Sequence, residues 1–140
     1  MREILFKAKT EGGRWIEGDL IHYESGEMAI LEKPFSKYGR EATEIARRTE
    51  VLPETISQYT GLTDKNGTKI WENDILKGLF LYGMEVYAVV VFKDGAFGLK
   101  WNRGKVEEFS AFTSICNVSF EIIGNVFDNP ELLEGGADNE

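Results

Sequence analysis

The residues able to do chemistry in this chain are chiefly carboxylates. Glu54, Glu72 and Asp74 could converge as a paired acid and base, the arrangement that general acid–base catalysis uses. Catalysis would also need a shaped pocket and a displaced pKa, so solvated or hydrogen-bonded carboxylates are the expected state. His22 alternates with Ile21 and Tyr23, and no second histidine accompanies it. It reads as a surface or structural side chain. Cys116 stands between Ile115 and Asn117, where a thiol behaves as a small, inert hydrophobe. With one cysteine and one histidine in 140 residues, the ligands of a structural zinc site are missing. Asp64-x-Asn66-Gly67 has the start of a calcium loop but not its later acidic positions, and a hairpin turn accounts for it. Gly95-x-x-Gly98 lacks the Lys-Ser/Thr and the helix of a phosphate loop. We therefore expect no catalytic residue, no cofactor and no metal.

Interaction chemistry is better supplied. Lys33, Lys37, Arg40, Arg47 and Arg48 run beside Phe35 and Tyr38 as a basic, aromatic strip, but Glu32, Glu41, Glu44 and Glu50 interleave with them. The formal net charge is −8, from 16 Lys plus Arg against 24 Asp plus Glu, a field that opposes phosphate binding. Nucleic-acid binding is possible on these residues and disfavoured by that charge. Five of the carboxylates fall in residues 128 to 140 with no Lys or Arg among them, which marks a solubilising end. An apolar run, Leu79-Phe80-Leu81-Tyr82-Gly83-Met84, exceeds what a hairpin connection needs. Whether it is core or interface stays open at this point.

The elements that would position these residues are short strands. Fifteen glycines against three prolines, with turn dipeptides at short intervals, argue for strands joined by tight turns. Residues 4 to 9, 15 to 23 and 28 to 31 read as a three-stranded meander, in which Gly18 marks a bulge or a close backbone approach. Residues 32 to 44 look like a mobile connection, followed by a short strand near Thr49 to Leu52. Asp64-Lys65-Asn66-Gly67 makes a hairpin. Strands are then expected at 74–80, 85–93, 96–101, 105–112 and 120–127, and five strands in about 55 residues are most simply accommodated by a small barrel, because closure removes exposed edges. Asn129 can cap a short terminal turn with Pro130 at its first position.

The strand from Val86 to Phe92 is apolar on both faces. Alternation sends Tyr87, Val89 and Val91 to one face and Val86, Ala88, Val90 and Phe92 to the other, so one set must meet the meander, another chain or water, water being the least favourable. A homo-oligomer is the expected consequence, with Phe80, Tyr82, Tyr87, Val89 and Val91 as its surface. The opening residues carry no signal-like apolar stretch, and no run approaches the roughly 18 apolar residues of a membrane span. A cytoplasmic location without membrane attachment is expected.

Val51-Leu52-Pro53-Glu54-Thr55-Ile56-Ser57-Gln58-Tyr59-Thr60-Gly61-Leu62, then Asp64-Lys65-Asn66-Gly67 and Ile70-Trp71-Glu72-Asn73-Asp74-Ile75, resembles the signature of the YopX family of phage and prophage proteins. The opening Arg2-Glu3-Ile4-Leu5-Phe6 with Gly13-Arg14-Trp15-Ile16-Glu17-Gly18, and the closing Ile122 to Leu133, are also similar to that family. Trp71, Asn73 and Asp19 depart from its usual residues without disturbing the pattern. The resemblance implies an all-β chain: an N-terminal antiparallel meander with its mobile connection over 1–57, a five-stranded SH3-like barrel over 58–134, and a frayed acidic tail at 135–140. It implies a small phage-encoded cytoplasmic protein and carries over no catalytic residue; with the surplus apolar surface, the expected role is that of a non-enzymatic phage or prophage accessory protein that binds a host or phage protein or itself. Within the signature, Pro53 extends Leu52, and the hydroxyls of Thr55 and Thr60 are placed to cap turns. Gln58, Tyr59, Glu72 and Asp74 are the positions that could instead face a partner.

Overall fold

The computed structural model describes residues 2–32, 48–80, 84–112 and 120–133, and divides into two compact units, Met1–Tyr59 and Thr60–Glu140. The basic strip from Lys33 to Arg47, Tyr82, Cys116 and the tail at 135–140 lie outside the described residues. Those that are described fold almost wholly as strands in two antiparallel sheets.

In the first unit, β1 (Phe6–Lys9), β2 (Trp15–His22) and β3 (Met28–Glu32) make the expected meander, and β4 (Arg48–Val51) pairs with β3. Alternation decides which side chains go inward. Ala8, Ile16, Ile30 and Val51 form a buried cluster, with Phe6, Leu20, Met28 and Ile56 packed against it. Gly18 is there because of its neighbour: a Cβ at this position would sit 2.0 Å from the Leu31 carbonyl oxygen. The close approach expected of that glycine is therefore present. Pro53 leaves Leu52 extended (φ −78°, ψ 114°) and opens a 3-10 turn, Pro53–Thr55. The Thr55 hydroxyl donates to the Leu52 carbonyl (2.7 Å) and accepts the Lys9 N–H (2.8 Å), tying that turn to β1.

β5 (Ser57–Thr63) starts beside β1, with Phe6 opposite Gln58 and Lys7 opposite Ser57, and β6 (Lys69–Trp71) follows it. The first sheet runs β4-β3-β2-β1-β5-β6. The strands flanking the Asp64–Gly67 turn continue the ladder that begins at β1, while the turn itself falls in the compact unit Thr60–Glu140.

The second unit holds β7 (Asp74–Phe80), β8 (Met84–Lys93), β9 (Ala96–Arg103), β10 (Val106–Ala111) and β11 (Phe120–Asn125) in the order β10-β9-β8-β7-β11. All five expected runs are strands. Asp94 (φ 53°) and Gly95 (φ 84°) are both left-handed, the requirement of a tight β8–β9 hairpin. One face of the sheet carries the core: Ile70, Leu76, Ala88, Val90, Leu99 and Phe120 are buried, with Val86, Trp101, Phe112 and Ile122 against them. Phe92 was expected on this face and to avoid water, but it is 55% exposed. It lies two residues before the turn, where β8 has outrun the core, and its cover is an edge-on contact with Phe97 at 5.0 Å. A last turn follows β11, in which the Asn129 carbonyl accepts the Leu132 N–H. The Asn129 side chain points backward to accept the Asn125 N–H at 3.2 Å, not forward as a cap.

Candidate functional site

The sheet face opposite the core of the second unit is built by register. β8 lays Tyr87, Val89 and Val91 along it. Pairing with β7 sets Lys77 opposite Tyr87 and Ile75 opposite Val89. Pairing with β9 sets Lys100 opposite Val89 and Gly98 opposite Val91, and β10 adds Phe109 opposite Lys100. One row thus reads Ile75-Val89-Lys100-Phe109 across four strands. Ile75 is buried, whereas Tyr87, Val89, Val91 and Phe109 are half-buried. Gly98 leaves room for the Phe109 ring, whose Cζ would be 2.7 Å from a Cβ there.

Charges fringe this apolar strip in opposite pairs. The Lys77 ammonium is 3.7 Å from the Glu85 carboxylate and 5.9 Å from the centre of the Tyr87 ring. Lys100 and Glu107 approach to 3.3 Å, and the Lys93 ammonium lies 5.4 Å from the Phe109 ring. Exposed pairs of this kind contribute only about 0–1 kcal/mol each to stability. They fix orientation more than they add energy. The strip is an apolar surface with a balanced charged rim, a chemistry suited to protein contact.

The other candidate positions separate. Of the expected surface, Tyr87, Val89 and Val91 share one face, and Phe80 ends β7. Leu79 beside it is 58% exposed. Of the signature residues, Gln58 and Glu72 are half-buried, Tyr59 is buried, and its N–H donates to the Leu5 carbonyl. Asp74 is 3% exposed, and its carboxylate accepts the Trp71 N–H at 2.8 Å. Asn73 between them takes a left-handed conformation (φ 73°), a position that suits glycine or asparagine, and its N–H donates to the Val90 carbonyl. Glu54 is exposed in the 3-10 turn, and His22 is exposed at the end of β2.

Asp64 is fully engaged as a turn residue. One carboxylate oxygen accepts the N–H groups of Asn66 (2.9 Å) and Thr68 (3.0 Å), and the other accepts that of Ile122 (3.0 Å). Partial burial pushes this carboxyl up, but the N–H groups of Ile122, Thr68 and Asn66, with the charge of Lys65, outweigh it and hold the carboxyl below its ordinary range. Among the described residues no group of three or more His, Cys, Asp or Glu is placed to hold a metal ion. A shallow cavity of about 230 Å³ in the first unit is lined by Tyr23, Glu27, Ala29, Arg48 and Glu50. Arg48 donates to the Tyr23 hydroxyl at 2.9 Å across it. Phe109, Lys100 and Lys77 were missed from the sequence. Their signal was present in the strand alternation and becomes visible only once the β7–β8 and β9–β10 registers are known.

The YopX protein family matches residues 5–134, and the chain belongs to that family. Two solved structures share its fold. Protein yopX from Bacillus subtilis is 19% identical with a TM-score of 0.59, covering 95% of this chain and 99% of its own. Protein EF1440 from Enterococcus faecalis is 24% identical with a TM-score of 0.59, over 95% and 99% of the two chains. No curated protein matches the sequence. No helix among the described residues is long and apolar enough to cross a membrane.

Proposed function

We propose that this YopX-family chain is a non-enzymatic accessory protein of a phage or prophage, working in the bacterial cytoplasm as a self-associating or protein-binding module. The observation that carries the reading is the Tyr87-Val89-Val91 strip, apolar and half-buried, with Phe109 beside it and a rim of opposite charges. Two copies meeting through such a face would bury their strips against each other, and roughly 800 Å² per partner is enough for a stable contact. A closed two-fold assembly suits a surface that carries both signs of charge.

Light scattering coupled to gel filtration at high micromolar concentration tests it. A mass near twice the 15.8 kDa of one chain, returning to the single-chain value in Val89→Asp, supports the proposal. A single-chain mass at every concentration, with no protein partner competing for the strip, overturns it. The rival nucleic-acid reading makes a different demand: DNA binding at low salt that vanishes as salt rises and is lost in Arg47→Ala with Arg48→Ala.

A further inference from the structure

The two outer strands of the second unit's sheet are not equivalent, because the edge of β11 is occupied by a turn. Phe120 and Ile122 direct their backbone groups away from β7. There the Lys65 N–H donates to the Phe120 carbonyl at 3.1 Å, and the Ile122 N–H donates to Asp64 Oδ2 at 3.0 Å. In a parallel ladder, one residue of the neighbouring strand donates to the carbonyl before its opposite number and accepts from the N–H after it. Lys65 stands in that relation to Glu121, except that the accepting oxygen belongs to the side chain of Asp64. The side chains agree, since the Lys65 ammonium is 3.9 Å from the Glu121 carboxylate. The hairpin turn thus imitates a single residue of a sixth strand.

We propose that Asp64 is an edge lock: its carboxylate closes the β11 edge against strand addition, and neutralising it opens that edge to pairing with β11 of a second copy of this chain. The occupant follows from the strand. Phe120, Ile122 and Ile123 are apolar and the two isoleucines β-branched, with Glu121 the one charge among them; the Phe120 C=O and the Ile122 N–H face outward, and an uncovered edge of that composition is a template for its own sequence. The lock needs both carboxylate oxygens. Oδ1 is committed to Asn66 and Thr68 and Oδ2 to Ile122, so an asparagine, with one oxygen, must turn its amide N–H toward one set of donors.

The lock is also sensitive to acid. Its carboxyl sits below the ordinary range in the folded chain, so the bond is held above that range and released as pH falls through the folded-state value. The charged groups facing it are Lys65 on its own turn and Glu121 on β11, with Lys77 of β7 opposite Glu121. Lys65 also pairs with the Glu121 carboxylate, so the mutant separates the contribution of Asp64 from that of this pair.

The test compares the whole chain with Asp64→Asn at neutral pH, reading amide hydrogen exchange at Ile122 and mass by sedimentation. The Ile122 amide should exchange about tenfold faster or more in the variant, while the Trp71 amide, held by Asp74, keeps its rate. The variant should gain a concentration-dependent association that persists when Val89→Asp is added, which separates it from the strip on the sheet face. In the unmodified chain, lowering the pH should reduce the Ile122 protection factor, the observed rate being taken relative to the intrinsic rate at each pH, and this loss should be absent in Asp64→Asn. An unchanged Ile122 rate, an unchanged mass, or an acid effect that survives in the variant overturns the proposal. Should the variant fail to fold, the acid titration of the unmodified chain decides: no selective loss of Ile122 protection ahead of the Tyr59 amide, which is held by the Leu5 carbonyl, rejects the lock.

Discussion

Asp74→Ala separates a structural carboxylate from a recognition one. In the folded chain Asp74 is 3% exposed, and its Oδ2 accepts the Trp71 N–H at 2.8 Å. Removing the side chain leaves a buried N–H without that acceptor. A hydrogen bond to a charged group contributes about 1.5–3 kcal/mol net, and an orphaned buried donor costs about 1–3 kcal/mol, two views of much the same loss. The expected destabilisation is therefore about 2–3 kcal/mol. With a urea dependence of about 2 kcal/mol per molar, the midpoint should fall by about 1–1.5 M. Asp74→Asn keeps an acceptor oxygen and should lose only about 1 kcal/mol. Equilibrium urea unfolding followed by tryptophan fluorescence measures both, Trp71 lying next to the perturbed bond. A midpoint for Asp74→Ala within about 0.3 M of the parent, on the same slope, would refute the reasoning and return Asp74 to the list of partner-facing residues.

Gly18→Ala forces β2 and β3 apart, because its Cβ would lie 2.0 Å from the Leu31 oxygen and the obstacle is backbone. Overpacking of this kind costs about 1–3 kcal/mol, and the value at the upper end should appear as a lowered thermal midpoint, whereas Gly26→Ala, with open space but φ 99°, should cost about 1 kcal/mol from backbone conformation alone. Lys100→Ala removes an exposed ion pair with Glu107. Its effect on the urea midpoint should fall within experimental error, while association through the sheet face changes its salt dependence; a large loss of stability would show that the pair is not merely a rim contact.

Much of the fold was legible because strand period, turn chemistry and core chemistry agree along this chain. Asp94-Gly95 meets the demand for two left-handed residues, Ala88 and Val90 fall on the buried side by alternation, and the Pro53-Thr55 turn places its hydroxyl where a capping residue would. What the sequence leaves open are matters of partnership. Nothing in Ser57 to Trp71 says which sheet its hairpin extends, since both edges offer the same backbone groups and the choice is made by β1. Phe92 was misjudged for a related reason: alternation gives its side, but not how far the core reaches along the strand.

The candidate surface depends on partnership even more. A strand apolar on both sides shows that some second face needs an explanation, and Tyr87, Val89 and Val91 were found that way. Lys77, Lys100 and Phe109 come from three other strands, and each enters the surface through one pairing: Lys77 with Tyr87, Lys100 with Val89, Phe109 with Lys100. A slip of one residue in any of them would send that side chain to the core face. The same logic governs Asp64. Its turn residues announced the hairpin, but its contact with Ile122 joins positions 58 residues apart, and a carboxylate standing in for a strand's carbonyl has no local pattern. Both features therefore exist only at the level of register, and perturbing register tests them more sharply than removing charge from the surface.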